Sequence, residues 1–138
     1  MIFLVRHASA GDRVAWEGDD RQRPLDDRGR RQAAQLVELL APYTIERIFS
    51  SPALRCVETV EPLSVARGLE IELRDELSEE RQADDGSALV RSLGLGPTVV
   101  SCHGGLSEVV CGESQKKGEV LVLEGTRVIG RFRAKGKN

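Results

Sequence analysis

The chain is sparing with the residues that most often announce chemistry. Among 138 residues it has two histidines, three cysteines and a single tryptophan. The cysteines, Cys56, Cys102 and Cys111, include no C-x-x-C pair. An odd number cannot all be joined within one chain, so a disulfide framework is excluded and thiols in a reducing cytoplasm are expected. No glycine-rich run ends in Gly-Lys-Ser or Gly-Lys-Thr, which excludes a P-loop nucleotidase. A cysteine-dependent phosphatase fails on spacing, because Glu108 stands where an arginine should follow Cys102. A zinc or manganese hydrolase would need ligands beyond two histidines, so neither a metal nor any other cofactor is expected. No apolar run approaches the length that spans a bilayer, and the N-terminal one is broken by Arg6-His7. The only asparagine is Asn138, so no N-glycosylation acceptor occurs.

What is present fits one domain over residues 1–138, long enough to bury a core without staples. Hydrophobic residues make up 40% and charged residues 30%, and the formal net charge of −2 argues against a nucleic-acid binder. Arg13, Arg21, Arg23, Arg28, Arg30 and Arg31 crowd one early stretch, interleaved with Asp12, Glu17, Asp19, Asp20, Asp26 and Asp27. Most of that stretch reads as a solvated, salt-bridged surface.

Hydrophobic patterning predicts strands over 2–6, 46–50, 69–73 and 98–102, with a closing hairpin of 120–123 and 128–132. Asp26 caps a helix whose Ala33, Leu36, Val37 and Leu40 keep the helical period, and Pro42 stops it. Ser51-Pro52 reads as a helix start, serine as cap and proline in the first helical position. That helix is expected to bend near Pro62 and to end at Gly68. Shorter helices are expected around 87–93 and 106–111, and the tail 135–138 is expected to fray. Alternating strands and helices imply a three-layer α/β/α sandwich around a mainly parallel sheet, made mixed by the hairpin.

Both histidines stand where a strand breaks into a loop: His7 after Ile2–Arg6, and His103 after Thr98–Cys102 and before Gly104-Gly105. Ligands in open α/β sheets collect outside the carboxyl ends of the strands. Arg6 beside His7 suits an anion, since arginine binds phosphoryl oxygens in bidentate fashion and keeps its charge. A neutral imidazole is a competent nucleophile when a backbone carbonyl holds its second nitrogen. Arg55 falls in the first turn of a helix, where free N–H groups favour anions. Gly104 lets backbone approach a bound group closely. Each feature alone also reads as ordinary structure; their order along the chain makes one anion-handling site the better reading.

In that order the segments resemble the histidine phosphatase superfamily, which also contains the phosphoglycerate mutases. Leu4-Val5-Arg6-His7-Ala8 is similar to its opening R-H-G strand motif, with Ala8 in place of the usual glycine. Leu25-Asp26-Asp27-Arg28-Gly29 through Gln32-Ala33 is similar to its L-T-x-x-G-x-x-Q-A helix start. Ser50-Ser51-Pro52-Ala53-Leu54-Arg55 with Thr59 fits the S-S-P-x-x-R-x-x-x-T helix, and Ser101-Cys102-His103-Gly104-Gly105 fits the second-histidine motif. The resemblance implies a phosphoglycerate mutase-like fold and a two-step transfer through a phosphohistidine on His7. It assigns Arg6, Arg55, His103 and Gly104 to the phosphoryl group and Glu79, in an L-x-E segment, to the general acid. Glu80 and Glu76 compete for that role.

The chain has no room for the insertions that cover larger members' sites, so the pocket should be open, as in the SixA-like phosphohistidine phosphatases. Asp20-x-x-Arg23-Pro24-Leu25 resembles that short group. Trp16-Glu17-Gly18-Asp19-Asp20 and Leu77–Glu80 resemble instead phosphatase domains joined to Nudix hydrolases, which implies nucleotide or polyphosphate substrates. Arg13, Arg21 and Arg23 are candidates to grip a distal phosphate, Arg13 and Arg23 foremost. Trp16 is read as a loop anchor buried against the sheet, with stacking on a base as the other option. A phosphohistidine leaving group arrives already protonated, so an acid at Glu79 favours esters or anhydrides. The expected partner is a phosphorylated substrate, protein or small molecule, with no nucleic acid and no membrane, for a cytoplasmic monomer or weak dimer. A non-catalytic phosphate-binding module, or a partner domain of a Nudix hydrolase, is the competing reading.

Overall fold

The computed structural model describes residues 1–94 and 96–137. Its six strands are β1 (Ile2–Arg6), β2 (Arg47–Ser50), β3 (Ile71–Leu73), β4 (Thr98–Cys102), β5 (Glu119–Glu124) and β6 (Arg127–Arg133). They form one sheet in the order β3-β2-β4-β1-β5-β6. The first four are parallel to one another and the last two close the sheet antiparallel. Four helices complete the chain: α1 (Asp27–Leu39), α2 (Leu54–Arg67), α3 (Ser87–Ser92) and α4 (Leu106–Cys111).

The three layers follow from the two faces of β1. Phe3 and Val5 join Leu36 and Leu40 of the α1 segment and Val60 and Leu63 of α2 in one core. Ile2 and Leu4 join Val90 of α3 and Leu106 and Val110 of α4 in the other. A strand buried on both faces needs the unbroken apolar run that the sequence supplies there. Asp26 caps α1 as expected, its Oδ1 accepting the Gly29 N–H at 2.8 Å, and Gly68 ends α2 in the left-handed region at φ 65°.

Three local expectations are corrected. Ser51 does not cap α2: the helix begins later, after Ala53, and no side chain caps it. The Ser51 hydroxyl meets His103 Nε2 at 2.9 Å and accepts from the Ala53 N–H just ahead of the helix. The tail is not frayed over 135–137. Its backbone is tied to α1 by Arg28 on the Lys135 carbonyl, Arg31 on the Gly136 carbonyl and Gln35 on Gly136 and Lys137; Asn138 lies outside the described residues. Trp16 is not buried against the sheet. It is 37% exposed, and its indole N–H donates to the Asp19 carbonyl within its own loop. Helix α2 runs on through Pro62 as one element. Between β3 and α3 the chain forms a 3-10 turn at Asp75–Leu77 and a π-helical turn at Gln82–Gly86. No described helix is long and apolar enough to cross a membrane.

Candidate active site

Parallel register brings the carboxyl ends of β1, β2 and β4 to one edge. Arg6 is level with Cys102, and Ser50 with Ser101, so His7, Ser51 and His103 emerge side by side. The His7 N–H donates to the Cys102 carbonyl. The Gly118 N–H reaches the carbonyls of Arg6 and His7. Ala8 donates to Thr59 Oγ1 at 2.9 Å, and that hydroxyl donates on to the Arg55 carbonyl at 2.7 Å. One turn of α2 is thereby tied to the backbone that carries His7.

His7 is 5% exposed. Its Nδ1 lies 2.8 Å from the Ala8 carbonyl oxygen. A carbonyl only accepts, so Nδ1 carries the proton and Nε2 holds the free lone pair. Burial, reinforced by His103, Arg55 and Arg6, lowers its pKa to about 3, against a backbone hydrogen bond that raises it. The imidazole is neutral at neutral pH. His103, 2% exposed, stands edge to face with it at 5.7 Å between ring centres. Its Nε2 is 2.9 Å from Ser51 Oγ, which leaves Nδ1 beside Arg55 Nη2 at 3.5 Å and Glu79 Oε2 at 3.8 Å. Burial and Arg55 lower its pKa to about 4. Gln82 clamps the same loop, accepting from the His103 N–H and donating to the Gly104 carbonyl.

Two arginines complete the cradle. Arg55 is 1% exposed; its Nη1 donates to the Asp20 carbonyl at 2.8 Å and its Nη2 meets the Asp20 carboxylate at 3.1 Å. Arg6 Nη1 donates to the Gln115 carbonyl at 2.6 Å. Its guanidinium lies over Gly104, where a Cβ would fall 2.8 Å from Arg6 Cζ. Both Nε atoms, of Arg6 and of Arg55, are buried with no partner among the described residues. Leaving a buried N–H unpaired costs about 1–3 kcal/mol, more when charged. Both guanidinium charges are felt at the His7 ring, where they favour its neutral form.

A cleft of 480 Å³ opens beside Arg55, its wall also including Asp20, Ser51, Glu79, Glu80 and His103. Arg13 crosses from the loop after β1 to Glu79, with Nη2 at 2.6 and 2.9 Å from the two carboxylate oxygens. Burial alone would raise the Glu79 pKa, but the Arg13 hydrogen bond and the charges of His103, Arg13 and Arg55 hold it below the ordinary carboxylate range. A general acid needs the opposite shift, so the expectation of a raised carboxyl does not describe this unliganded arrangement. Glu76 is paired with Arg74 at 2.8 Å, whereas Glu80 shares the cleft wall. Arg23 turns inward, 5% exposed, with its guanidinium on the Ala10 carbonyl and on Asp20 at 3.0 Å. Its Nε and Nη1 are thus engaged, and through Asp20 it is joined to Arg55.

Sequence reasoning brings His7, His103, Arg6, Arg55, Gly104, Arg13 and Glu79 to one neighbourhood, and the structure gathers them there. It misses three residues that hold them. Ser51 looks like a cap, and Gln82 carries no local signal. Asp20 stands inside the D-x-x-R-P-L segment without a role, yet it binds Arg55 and Arg23 and lies 3.6 Å from Arg13.

A buried neutral imidazole that feels the charges of two arginines, at the carboxyl edge of a parallel sheet, is an arrangement suited to a phosphoryl anion. Residues 2–85 match the histidine phosphatase superfamily (branch 1), and the chain belongs to that family. Over 92 residues, 67% of its length, it is 39% identical to an 8-oxo-(d)GTP phosphatase of Mycolicibacterium smegmatis. It spans 29% of that relative's length. Among solved structures it is similar to a protein histidine phosphatase SixA complexed with tungstate, at 23% identity and TM-score 0.77, covering 96% of each chain. A putative phosphohistidine phosphatase SixA from Agrobacterium tumefaciens is similar at 24% identity and TM-score 0.79, covering 95% of this chain and 96% of that one. Those two likenesses establish the phosphoglycerate mutase-like fold.

Proposed function

We propose that the protein is a metal-independent phosphatase that works through a phosphohistidine on His7. The observation that carries this reading is the Nδ1–Ala8 hydrogen bond, which leaves Nε2 as a neutral nucleophile within the field of the Arg6 and Arg55 guanidinium groups. Nε2 attacks phosphorus in line and the bond from phosphorus to the leaving oxygen breaks. Glu79 gives that oxygen its proton. Water, its proton returned to Glu79, then attacks the phosphohistidine; the P–N bond breaks and inorganic phosphate departs. Arg6, Arg55, His103 and the backbone at Gly104 hold the equatorial oxygens, in keeping with phosphoryl transfer as positioning plus electrostatics.

The substrate is a nucleotide or other small phosphoester, or a protein phosphohistidine. A carboxyl group on the cleft wall favours the former, because an alkoxide needs a proton and an imidazole leaving group does not. The kinship with an 8-oxo-(d)GTP phosphatase leans the same way. Because the chain spans 29% of that relative, service as a partner domain of a larger nucleotide hydrolase is the second reading.

Phosphate release without added metal tests both. The panel holds nucleoside phosphates, sugar phosphates, an aryl phosphate and a phosphohistidine peptide, with wild type and His7→Ala compared, and alkaline quenching traps the phosphoenzyme. The expected result is turnover and an acid-labile phosphoenzyme in the wild type and neither in His7→Ala. Substantial turnover in His7→Ala would refute the covalent route.

A further inference from the structure

The proposed acid is tied down. Glu79 must hold a proton to donate one, yet Arg13 grips both its oxygens, closer than either Arg55 or His103 approaches it. Arg13 is also exposed. Its side chain is 56% exposed on the long loop after β1, whereas Arg55 is fully buried and fixed by Asp20. A second carboxylate near Arg13 is Asp20, at 3.6 Å, which is already occupied by Arg23 and Arg55. Arg13 therefore has one strong partner in the free enzyme, and an incoming anion is the natural competitor for it.

We infer that Arg13 exchanges partners: it binds Glu79 in the free enzyme and moves to a second anionic group of the substrate, which releases Glu79 to collect the proton that it passes to the leaving oxygen. The inference rests on the phosphatase reading above and narrows its substrate class to phosphate esters of alcohols that carry a further phosphate or carboxylate close by. Binding energy from a remote group is thus spent on the chemical step. Other groups facing Glu79 are Asp20 from the same loop as Arg13, Arg55 from α2 and His103 after β4, with Glu80 and Arg81 on the same wall. Of these, Arg13 alone combines a grip on both oxygens with exposure. Its withdrawal removes the largest hydrogen-bonded stabilisation of the Glu79 anion.

A matched pair of esters tests this: propyl phosphate and propane-1,3-diol bisphosphate, whose three-carbon leaving alcohols differ by one anionic group. Wild type, Arg13→Gln and Arg13→Lys are compared by kcat/KM against pH. Wild type should prefer the bisphosphate by about tenfold, the effect of moving an acid's pKa by one unit. Arg13→Gln should hydrolyse propyl phosphate faster than wild type at pH 7, with its descending limb moved to higher pH, and should lose the preference. Arg13→Lys should restore part of both. Equal slowing on both esters with an unmoved limb would overturn the inference, since that is what a merely structural arginine does. Trapping the phosphoenzyme in the same reactions separates the two readings. Label on His7 without the Arg13 signature overturns the exchange alone, whereas no label and no turnover on any ester overturns the phosphatase reading as well.

Discussion

Replacing Gly104 by alanine separates the demands of the site from those of the fold. The new Cβ would fall 2.8 Å from Arg6 Cζ and Nε and 2.9 Å from Nη2. Ordinary carbon contacts begin near 3.5 Å, so the guanidinium must retreat by roughly 0.7 Å. What gives is the end of a flexible side chain, not backbone, and Gly104 does not lie at positive φ. The stability cost should therefore stay near about 1 kcal/mol, within the ordinary range for a point substitution. The catalytic cost should be larger, because a misplacement of about 1 Å in a positioning group costs on the order of a hundredfold. A retreat of this size should lower kcat/KM by about ten- to a hundredfold, or roughly 1.4–2.7 kcal/mol of transition-state binding. Urea unfolding and steady-state kinetics on one preparation check both halves. Activity within twofold of wild type would refute the placement of Arg6 on the phosphoryl group. A stability loss of several kcal/mol would show that the loop, not the guanidinium, had yielded.

Two further outcomes are expected. Gln32 is fully buried and accepts from the Ser9 N–H while donating to the Lys117 and Ala134 carbonyls; Gln32→Leu orphans all three and should cost about 3–5 kcal/mol in urea unfolding at roughly 1–3 kcal/mol per abandoned group, whereas a cost under about 1 kcal/mol would contradict that bonding. The pKa values of about 3 for His7 and about 4 for His103 lie below the unfolded value of 6.5. The unfolded chain therefore binds more protons below pH 6.5, and stability present above that pH should fall from pH 6.5 downward, levelling off near 4 for His103 and near 3 for His7, by on the order of 3–5 kcal/mol per histidine. His7→Asn should flatten that slope, and equal stability of wild type at pH 7 and pH 5 would contradict the burial of both rings.

The sheet was legible in the sequence because each central strand is an apolar run long enough for one crossing and bounded by a turn. Asp26 and Gly68 were legible for the same kind of reason: a cap or a left-handed stop depends on residues within one turn of itself. Ser51 misled because the cap rule sees only its own chain segment, and the competing partner, His103, lies across the sheet. The tail misled because lysine, glycine and asparagine give no reason to order, while the partners that order it are side chains of α1. The cradle residues could be named from motifs, but Asp20 and Gln82 could not be given tasks. Both act on residues brought near only by the fold. Glu79 could be named from a pattern; its hydrogen bonds to Arg13 could not, since nothing along the chain links positions 13 and 79.

The order of strands divides the enzyme's labour in a way that bears on its history. His7 and His103 hang from β1 and β4, neighbours in the middle of the sheet, hydrogen-bonded on both flanks. Glu79 follows β3, the edge strand, which is three residues long and paired on one side only. On the proposed function, descent can rewrite the segment after β3, and with it the choice of leaving group, at small risk to the histidines that hang from the centre of the sheet. A lineage built on that plan would keep one reaction and trade its customers at the rim.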